Sequence, residues 1–156
     1  MSSFIWTPVE NKKNKTDDVL ANTFILKNLT KSERRKLLKI GHVRTFAKDE
    51  IIFRRGQPSF GMYVVLKGTV EIYVKNKGKE VKITRFKKGD MMGELSLVEN
   101  NIRTASARAS EDCALFFLFN KDLKNLFNED PRLGLSLYHG IITAMSMRIE
   151  EIDKTL

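Results

Sequence analysis

The sequence predicts an α+β protein in which a block of short strands, closed as a sandwich or barrel, lies between helical segments. Three observations carry this. From residue 42 to residue 119, short β-branched and aromatic runs alternate with glycines, the texture of many strands joined by tight turns. On either side of that block the apolar period is helical. The chain has 156 residues, 42% hydrophobic and 30% charged, which suits one domain with one sizeable core and excludes a disordered chain.

Residues 1–20 are polar, carry Lys12, Lys13 and Lys15, and show little periodicity. They read as a flexible N-terminal arm, with the folded domain at 21–156. Thr30-Lys31-Ser32-Glu33 forms a capping box, in which a hydroxyl and a carboxylate satisfy two otherwise orphan amides. The helix it opens runs to about Ile40, where Gly41 stops it. Strands are expected at 43–46, 51–53, 62–66, 70–74, 81–86, 104–109 and 114–119, with Gly56, Gly61, Gly68, Gly78, Gly89 and Gly93 between them. Asn76 and Gly78 mark a hairpin tip. Asn120 is placed as the N-cap of a short helix through Phe127, and Asp130-Pro131 as N-cap and first residue of a long final helix. That helix carries Tyr138, Ile142, Met145, Ile149, Ile152 and Leu156 at alternating spacings of four and three. The stripe is expected to pack on the barrel, and pairing with a second copy of the chain stays open.

Composition removes several classes. The single cysteine, Cys113, permits no disulfide framework and suits a small core residue. The longest apolar run, 113–119, is far short of the roughly 20 residues that span a bilayer. Asn28-Leu29-Thr30 fits a glycosylation acceptor, but the N-terminus lacks the basic and apolar regions of a secretory signal. The expectation is a soluble cytoplasmic protein with no membrane association. The net charge is +9, which raises nucleic acid as a partner. The charge is local: residues 1–40 are net +5, residues 75–88 net +6, and the remainder net −2. Lysines flanking a hairpin suit a solvated face, and there is no recognition-helix pair, so nucleic acid is not the expected partner. His42 and His139 are isolated, no Ser/His/Asp or Cys/His set is evident, and Lys67-Gly68-Thr69 lacks the glycines of a P-loop. The expectation is a protein that is not an enzyme.

The informative segment is Met92-Gly93-Glu94-Leu95-Ser96-Leu97, followed by Ile102-Arg103-Thr104-Ala105-Ser106-Ala107. Gly93 lets a ligand approach the backbone closely. Leu95-Ser96-Leu97 suits one helical turn, whose first amides favour an anion. Arg103 offers a planar fork of donors matched to phosphate oxygens, and the small Thr104 and Ala105 let their amides reach the same anion. Glu94 is acceptor-only and asks for a hydroxyl. A ribose phosphate meets both demands.

This pair of segments resembles the phosphate-binding cassette of cyclic nucleotide-binding domains, the family of bacterial catabolite activators, kinase regulatory subunits and cyclic-nucleotide-gated channels. Gly56-Gln57, Met62-Tyr63-Val64-Val65-Leu66-Lys67-Gly68 and Phe86-Lys87-Lys88-Gly89-Asp90 fit the family's upstream pattern, and the resemblance covers roughly residues 20–156. It implies an eight-stranded antiparallel β-roll, jelly-roll-like, flanked by an N-terminal helix and two C-terminal helices. It implies that Glu94 accepts from the ribose 2′-hydroxyl and Arg103 pairs with the cyclic phosphate. The amides of Leu95, Ser96, Thr104 and Ala105 complete the cradle, and Gly93 permits close approach. Met92 and Thr84 wall the base, and Met145 and Arg148 supply a lid from the final helix. Thr104 matches a position where many cGMP-responsive members carry threonine, and it admits cAMP as well.

The chain departs from the family at Ile102, where many members have proline, at Glu99-Asn100-Asn101, where glycine is common, and at Ser59. The implied function is a sensor of cAMP or cGMP that signals through its C-terminal helix to a separate effector or to the rest of a larger parent protein. The alternative is a degenerate form of the fold acting as a protein-interaction scaffold without nucleotide.

Overall fold

The computed structural model describes residues 7–8, 13–97 and 102–155. The chain begins with a two-residue strand β1 (Thr7–Pro8), helix α1 (Lys13–Asn22), a 3-10 turn (Phe24–Leu26) and helix α2 (Lys31–Ile40). Eight strands follow: β2 (His42–Phe46), β3 (Ile51–Phe53), β4 (Gly61–Lys67), β5 (Val70–Asn76), β6 (Lys79–Phe86), β7 (Met91–Met92), β8 (Ser106–Ala109) and β9 (Cys113–Phe119). Helices α3 (Asn120–Glu129) and α4 (Pro131–Thr155) close the chain. The strands form two antiparallel sheets, β2-β9-β4-β7 and β3-β8-β5-β6, with β1 added at the β2 edge. This is the eight-stranded roll with flanking helices that the sequence predicts.

The apolar pattern explains the layering. On β9, Leu115 and Phe117 point into the roll, while Phe116 and Leu118 face the helices. On β4, Tyr63 and Val65 point inward and Met62 and Val64 toward the helices. Two central strands covered on both faces need an unbroken apolar run rather than alternation, and so β4 carries Met-Tyr-Val-Val-Leu and β9 reads Cys-Ala-Leu-Phe-Phe-Leu-Phe. The helical layer (Leu20, Leu26, Leu37, Leu123, Leu133 and Leu137) covers one face of the first sheet, and the second sheet covers the other.

The capping box forms as expected: the Thr30 hydroxyl accepts from the Glu33 amide at 3.1 Å and the Glu33 carboxylate accepts from the Thr30 amide at 2.9 Å. Gly41 does follow α2, but its φ of −87° is not left-handed. It is glycine because a β-carbon there would fall inside the ring of Phe116. At the β5–β6 hairpin the central residues are Lys77 (φ +52°) and Gly78 (φ +80°), the left-handed pair of a type I′ turn. Of the basic cluster at 75–88, Lys82 pairs with Glu71 at 3.0 Å, and Glu71 and Glu80 share Arg108 at 3.1 Å.

Three expectations are corrected. Part of the expected flexible arm is ordered: α1 starts at Lys13 and buries Thr16, Val19 and Leu20, a short apolar face that weak periodicity concealed. Phe119, not Asn120, is the N-cap of α3; Asn120 is its first residue, and its side chain is used elsewhere. The helix also runs past Phe127 to Glu129. The α4 stripe does not pack on the barrel: Ile142 is 63% and Ile149 59% exposed, with Tyr138 and Met145 also open to solvent. Leu133, Leu137 and Ile141 form the docked face instead. Apolar side chains surround α4 on both sides, so its sequence offers two stripes, and Gly134 and Gly140 decide between them. Glycine at these positions lets the backbone sit against Phe127 and the Ile25 carbonyl. The side chain of Ile152 and all of Leu156 lie outside the described residues. At the start of α4, Asp130 accepts from the Leu133 amide at 3.2 Å and from Lys36 on α2 at 2.7 Å. Among the described residues no helix is long and apolar enough to cross a membrane.

Candidate functional site

A cleft of about 170 Å³ opens between the two sheets on the side of β6. Its floor is apolar, from Phe53, Ile72, Phe86 and Met92. Gly93, Glu94, Ser96, Arg103, Thr104, Ala105 and Thr84 line the same cleft, so eight of the nine residues singled out in the sequence meet there. Leu95 belongs to the same 3-10 turn, Glu94–Leu97, and its side chain lies outside the described residues. Met145 is not a lining residue, and the side chain of Arg148 and all of residues 98–101 lie outside the described residues.

Register places Thr84: it pairs with Ile72 across β5 and β6, so both face the roll interior. Arg103 is placed by two backbone bonds to the turn after β3. Its amide donates to the Gln57 carbonyl at 2.9 Å, and its carbonyl accepts from the Gly56 amide at 2.8 Å. Ile102, bridged to Pro58, is exposed at the rim.

The Arg103 side chain is 8% exposed. Its guanidinium lies 4.1 Å above the ring of Phe53 and 5.8 Å from that of Tyr63. Nη2 donates to the Gly61 carbonyl at 2.9 Å, and the buried Nε has no hydrogen-bond partner. Among the described residues Arg103 makes no ion pair with a carboxylate. Burial pulls its pKa below the usual guanidinium value, with Tyr63 opposing the shift, yet a guanidinium stays charged in proteins. Burial likewise pushes the Tyr63 phenol up, against the pull of Arg103 and Arg44. A desolvated cation without a counter-charge is costly, and Arg103 is one of the residues that line the cleft.

Gly93 turns the chain with φ +80°, and a β-carbon there would lie 2.5 Å from Arg103 Nη1 and 3.3 Å from the Gly61 carbonyl. Glu94, 7% exposed, opens the 3-10 turn directly after it. The Ser96 amide donates to the Gly93 carbonyl at 2.9 Å. The turn therefore uses internally a donor that the sequence reading offers to the phosphate, because an i→i+3 bond claims it. The Ser96 hydroxyl donates to Asn120 Oδ1 at 3.0 Å, and Asn120 Nδ2 donates back to the Ser96 carbonyl at 2.8 Å.

Sequence reasoning missed Phe53, Ile72 and Phe86 as floor, Gly61 as the anchor of Arg103, and Asn120 as the partner of Ser96. Ile72 is no exception: counted back from the hairpin at 77–78 it falls opposite Ile83, and it meets Thr84 only because the ladder shifts register between Ile72 and Tyr73. The others come from contacts distant in sequence.

Fold and site together define a small β-roll domain whose cleft is lined by a buried arginine and a buried glutamate. A family model described as the cyclic nucleotide-binding domain matches residues 43–130, and the chain belongs to that family of regulatory domains. It is 29% identical over 118 residues to the cAMP-dependent protein kinase regulatory subunit of Candida albicans, covering 72% of this chain and 25% of that one. It is 29% identical over 114 residues to the cyclic AMP receptor protein of Thermus thermophilus, covering 72% of this chain and 51% of that one. The chain thus spans between a quarter and a half of the length of these relatives. Among solved structures, a cyclic nucleotide-binding domain from Methylobacillus flagellatus has the same fold, with a TM-score of 0.80, 21% identity and coverage of 96% of this chain and 88% of that one. The catabolite activator protein of Thermus thermophilus gives a TM-score of 0.73 at 26% identity, covering 84% of this chain and 60% of that one.

Proposed function

We propose that this domain binds a cyclic purine nucleotide, cAMP or cGMP, and acts as a non-catalytic sensor. The observation that carries the reading is Arg103: a buried guanidinium with an unpartnered Nε and no carboxylate partner among the described residues. A cyclic phosphate supplies the missing charge and accepts bidentate hydrogen bonds. Gly93 and the amides of Leu95, Thr104 and Ala105 line the phosphate, and Glu94 accepts from the ribose hydroxyl. The apolar floor of Phe53, Ile72, Phe86 and Met92 supports the rest of the ligand, and Thr84 and Thr104 stand at its edge. Thr104 offers a hydroxyl to a guanine amino group and tolerates adenine. The response passes to α4 and from there to an effector, either a separate protein or another part of a larger one.

Calorimetric titration with cAMP and with cGMP tests this, on protein first unfolded and refolded to strip ligand carried from the host. The expected result is saturable one-to-one binding to at least one of them, with a matching rise in melting temperature; ligand at about 100 times its Kd adds about 2.7 kcal/mol. Absence of both heat and thermal shift sinks the sensor reading and leaves the roll as a scaffold for protein partners.

A further inference from the structure

The guanidinium, the 3-10 turn and the start of α3 belong to one closed circuit. Arg103 Nη2 donates to the carbonyl of Gly61 at 2.9 Å. The neighbouring carbonyl, of Phe60, accepts from the backbone amide of Asn120 at 2.8 Å. The Asn120 side chain exchanges two hydrogen bonds with Ser96, at 2.8 and 3.0 Å. The Ser96 amide returns to Gly93, whose α-carbon leaves no room beside Arg103 Nη1. Asn120 is the one member of this circuit that stands on a C-terminal helix, and it is the first residue of α3.

Asparagine is suited to this place by its chemistry. Its amide offers a donor and an acceptor in one plane, so it grips the turn through both the Ser96 carbonyl and the Ser96 hydroxyl. Its backbone is at the same time the first residue of a ten-residue helix that packs against α4 through Leu123 and Leu126. A shift of the turn or of Arg103 therefore cannot leave the start of α3 where it was without breaking hydrogen bonds in a part-buried place.

We propose that Asn120 is a positioning residue: it sets the shape of the Glu94–Leu97 turn and carries ligand occupancy from that turn to α3. The second half rests on the nucleotide-binding reading above; the first does not.

Hydrogen-exchange mass spectrometry on the whole chain separates the two, using wild type, N120A and S96A, each alone and with saturating cAMP or cGMP. Without ligand, N120A is expected to raise exchange across residues 93–97 while leaving the β5–β6 hairpin as in wild type. S96A, which keeps the bond from Asn120 Nδ2 to the carbonyl of residue 96, is expected to show a smaller rise. Exchange in 93–97 unchanged by N120A overturns the positioning role, whatever the ligand does. With nucleotide, wild type is expected to change exchange across residues 120–129. N120A is expected to bind about tenfold more weakly and to show no such change. Wild-type transmission persisting in a nucleotide-saturated N120A overturns the coupling. A wild type that binds neither nucleotide sinks the functional reading, and the ligand-free comparison then decides the positioning role alone. If N120A does not fold, N120D carries the same test: it keeps the acceptor for the Ser96 hydroxyl, loses the donor to the Ser96 carbonyl, and is expected to behave like N120A.

Discussion

The guanidinium of Arg103 occupies the space that a side chain at Gly93 would need, with Nη1 2.5 Å from where the β-carbon would stand. The glycine that shapes the turn and the arginine that faces the cleft are thus fitted to one another. G93A is expected to act twice. A positive φ with a β-carbon costs about 1–2 kcal/mol of stability, and the displaced guanidinium no longer meets the anion in place. Urea unfolding and calorimetry with cAMP and cGMP together check it. A variant that loses stability and keeps full affinity would show that Arg103 has no need of this backbone turn.

Removing the charge at Arg103 separates stability from binding. R103A is expected to weaken the bound nucleotide by about 2–4 kcal/mol, because a buried phosphate loses a charge-assisted pair. R103M keeps an apolar stem on Phe53 and removes the desolvated cation. Its ligand-free melting temperature is expected to be no lower than that of wild type, and nucleotide should no longer raise it. A drop of several degrees without ligand would assign the guanidinium to the architecture instead.

The capping box of α2 is distant from the cleft. T30A is expected to cost about 1 kcal/mol through the loss of the hydroxyl that accepts from Glu33. Denaturant titration measures the loss, and nucleotide affinity should be unchanged. A large change in affinity would connect α2 to the site.

Acid should act through two carboxylates, Glu71 on the second sheet and Asp130 between α2 and α4. Hydrogen bonds from Lys82 and Arg108 hold Glu71 below the ordinary carboxylate range, and Lys36 does the same for Asp130. A carboxylate lowered by folding contributes its full share above the unfolded value, about 4.3 for Glu and 3.9 for Asp. That share is lost as the pH falls through the lower folded value. Melting temperatures are therefore expected to be flat in this respect from pH 7 to about 5 and to fall below that. E71Q should make the acid limb shallower, and an unaltered limb would remove Glu71 as a contributor.

Much of the fold was legible because its signals are local. The Thr30–Glu33 capping box, the Asp130-Pro131 start of α4 and the glycine-punctuated strands each speak within a few residues. Signals failed where geometry at a distance decides. Met91–Met92 is too short to alternate, and becomes a strand only by pairing with Tyr63 and Val64. Gly41 was legible as a stop but for another reason, since the ring of Phe116 is distant in sequence. The stripe of α4 was read on the wrong side because both sides are apolar, and contact with Ile25 and Phe127 selects the docked one. Within the cleft, the residues of one contiguous motif were visible in sequence. Phe53 reaches it from another strand, Gly61 and Asn120 act on it through Arg103 and Ser96, and nothing in their own neighbourhoods announces this.

Gly140 has a mechanical consequence. A β-carbon there would run into the Ile25 carbonyl, so α4 touches the body of the domain backbone to backbone at that point. The helix continues to Thr155, and beyond Ile141 none of its described side chains is buried. The fifteen residues after this fulcrum make an arm about 22 Å long at 1.5 Å per residue. Tilting the docked half by about 10° sweeps the far end by about 4 Å. The nine residues on the near side of Gly140 span only about 13 Å, so the same tilt moves the root of the helix by about 2 Å and the arm nearly doubles it at the tip.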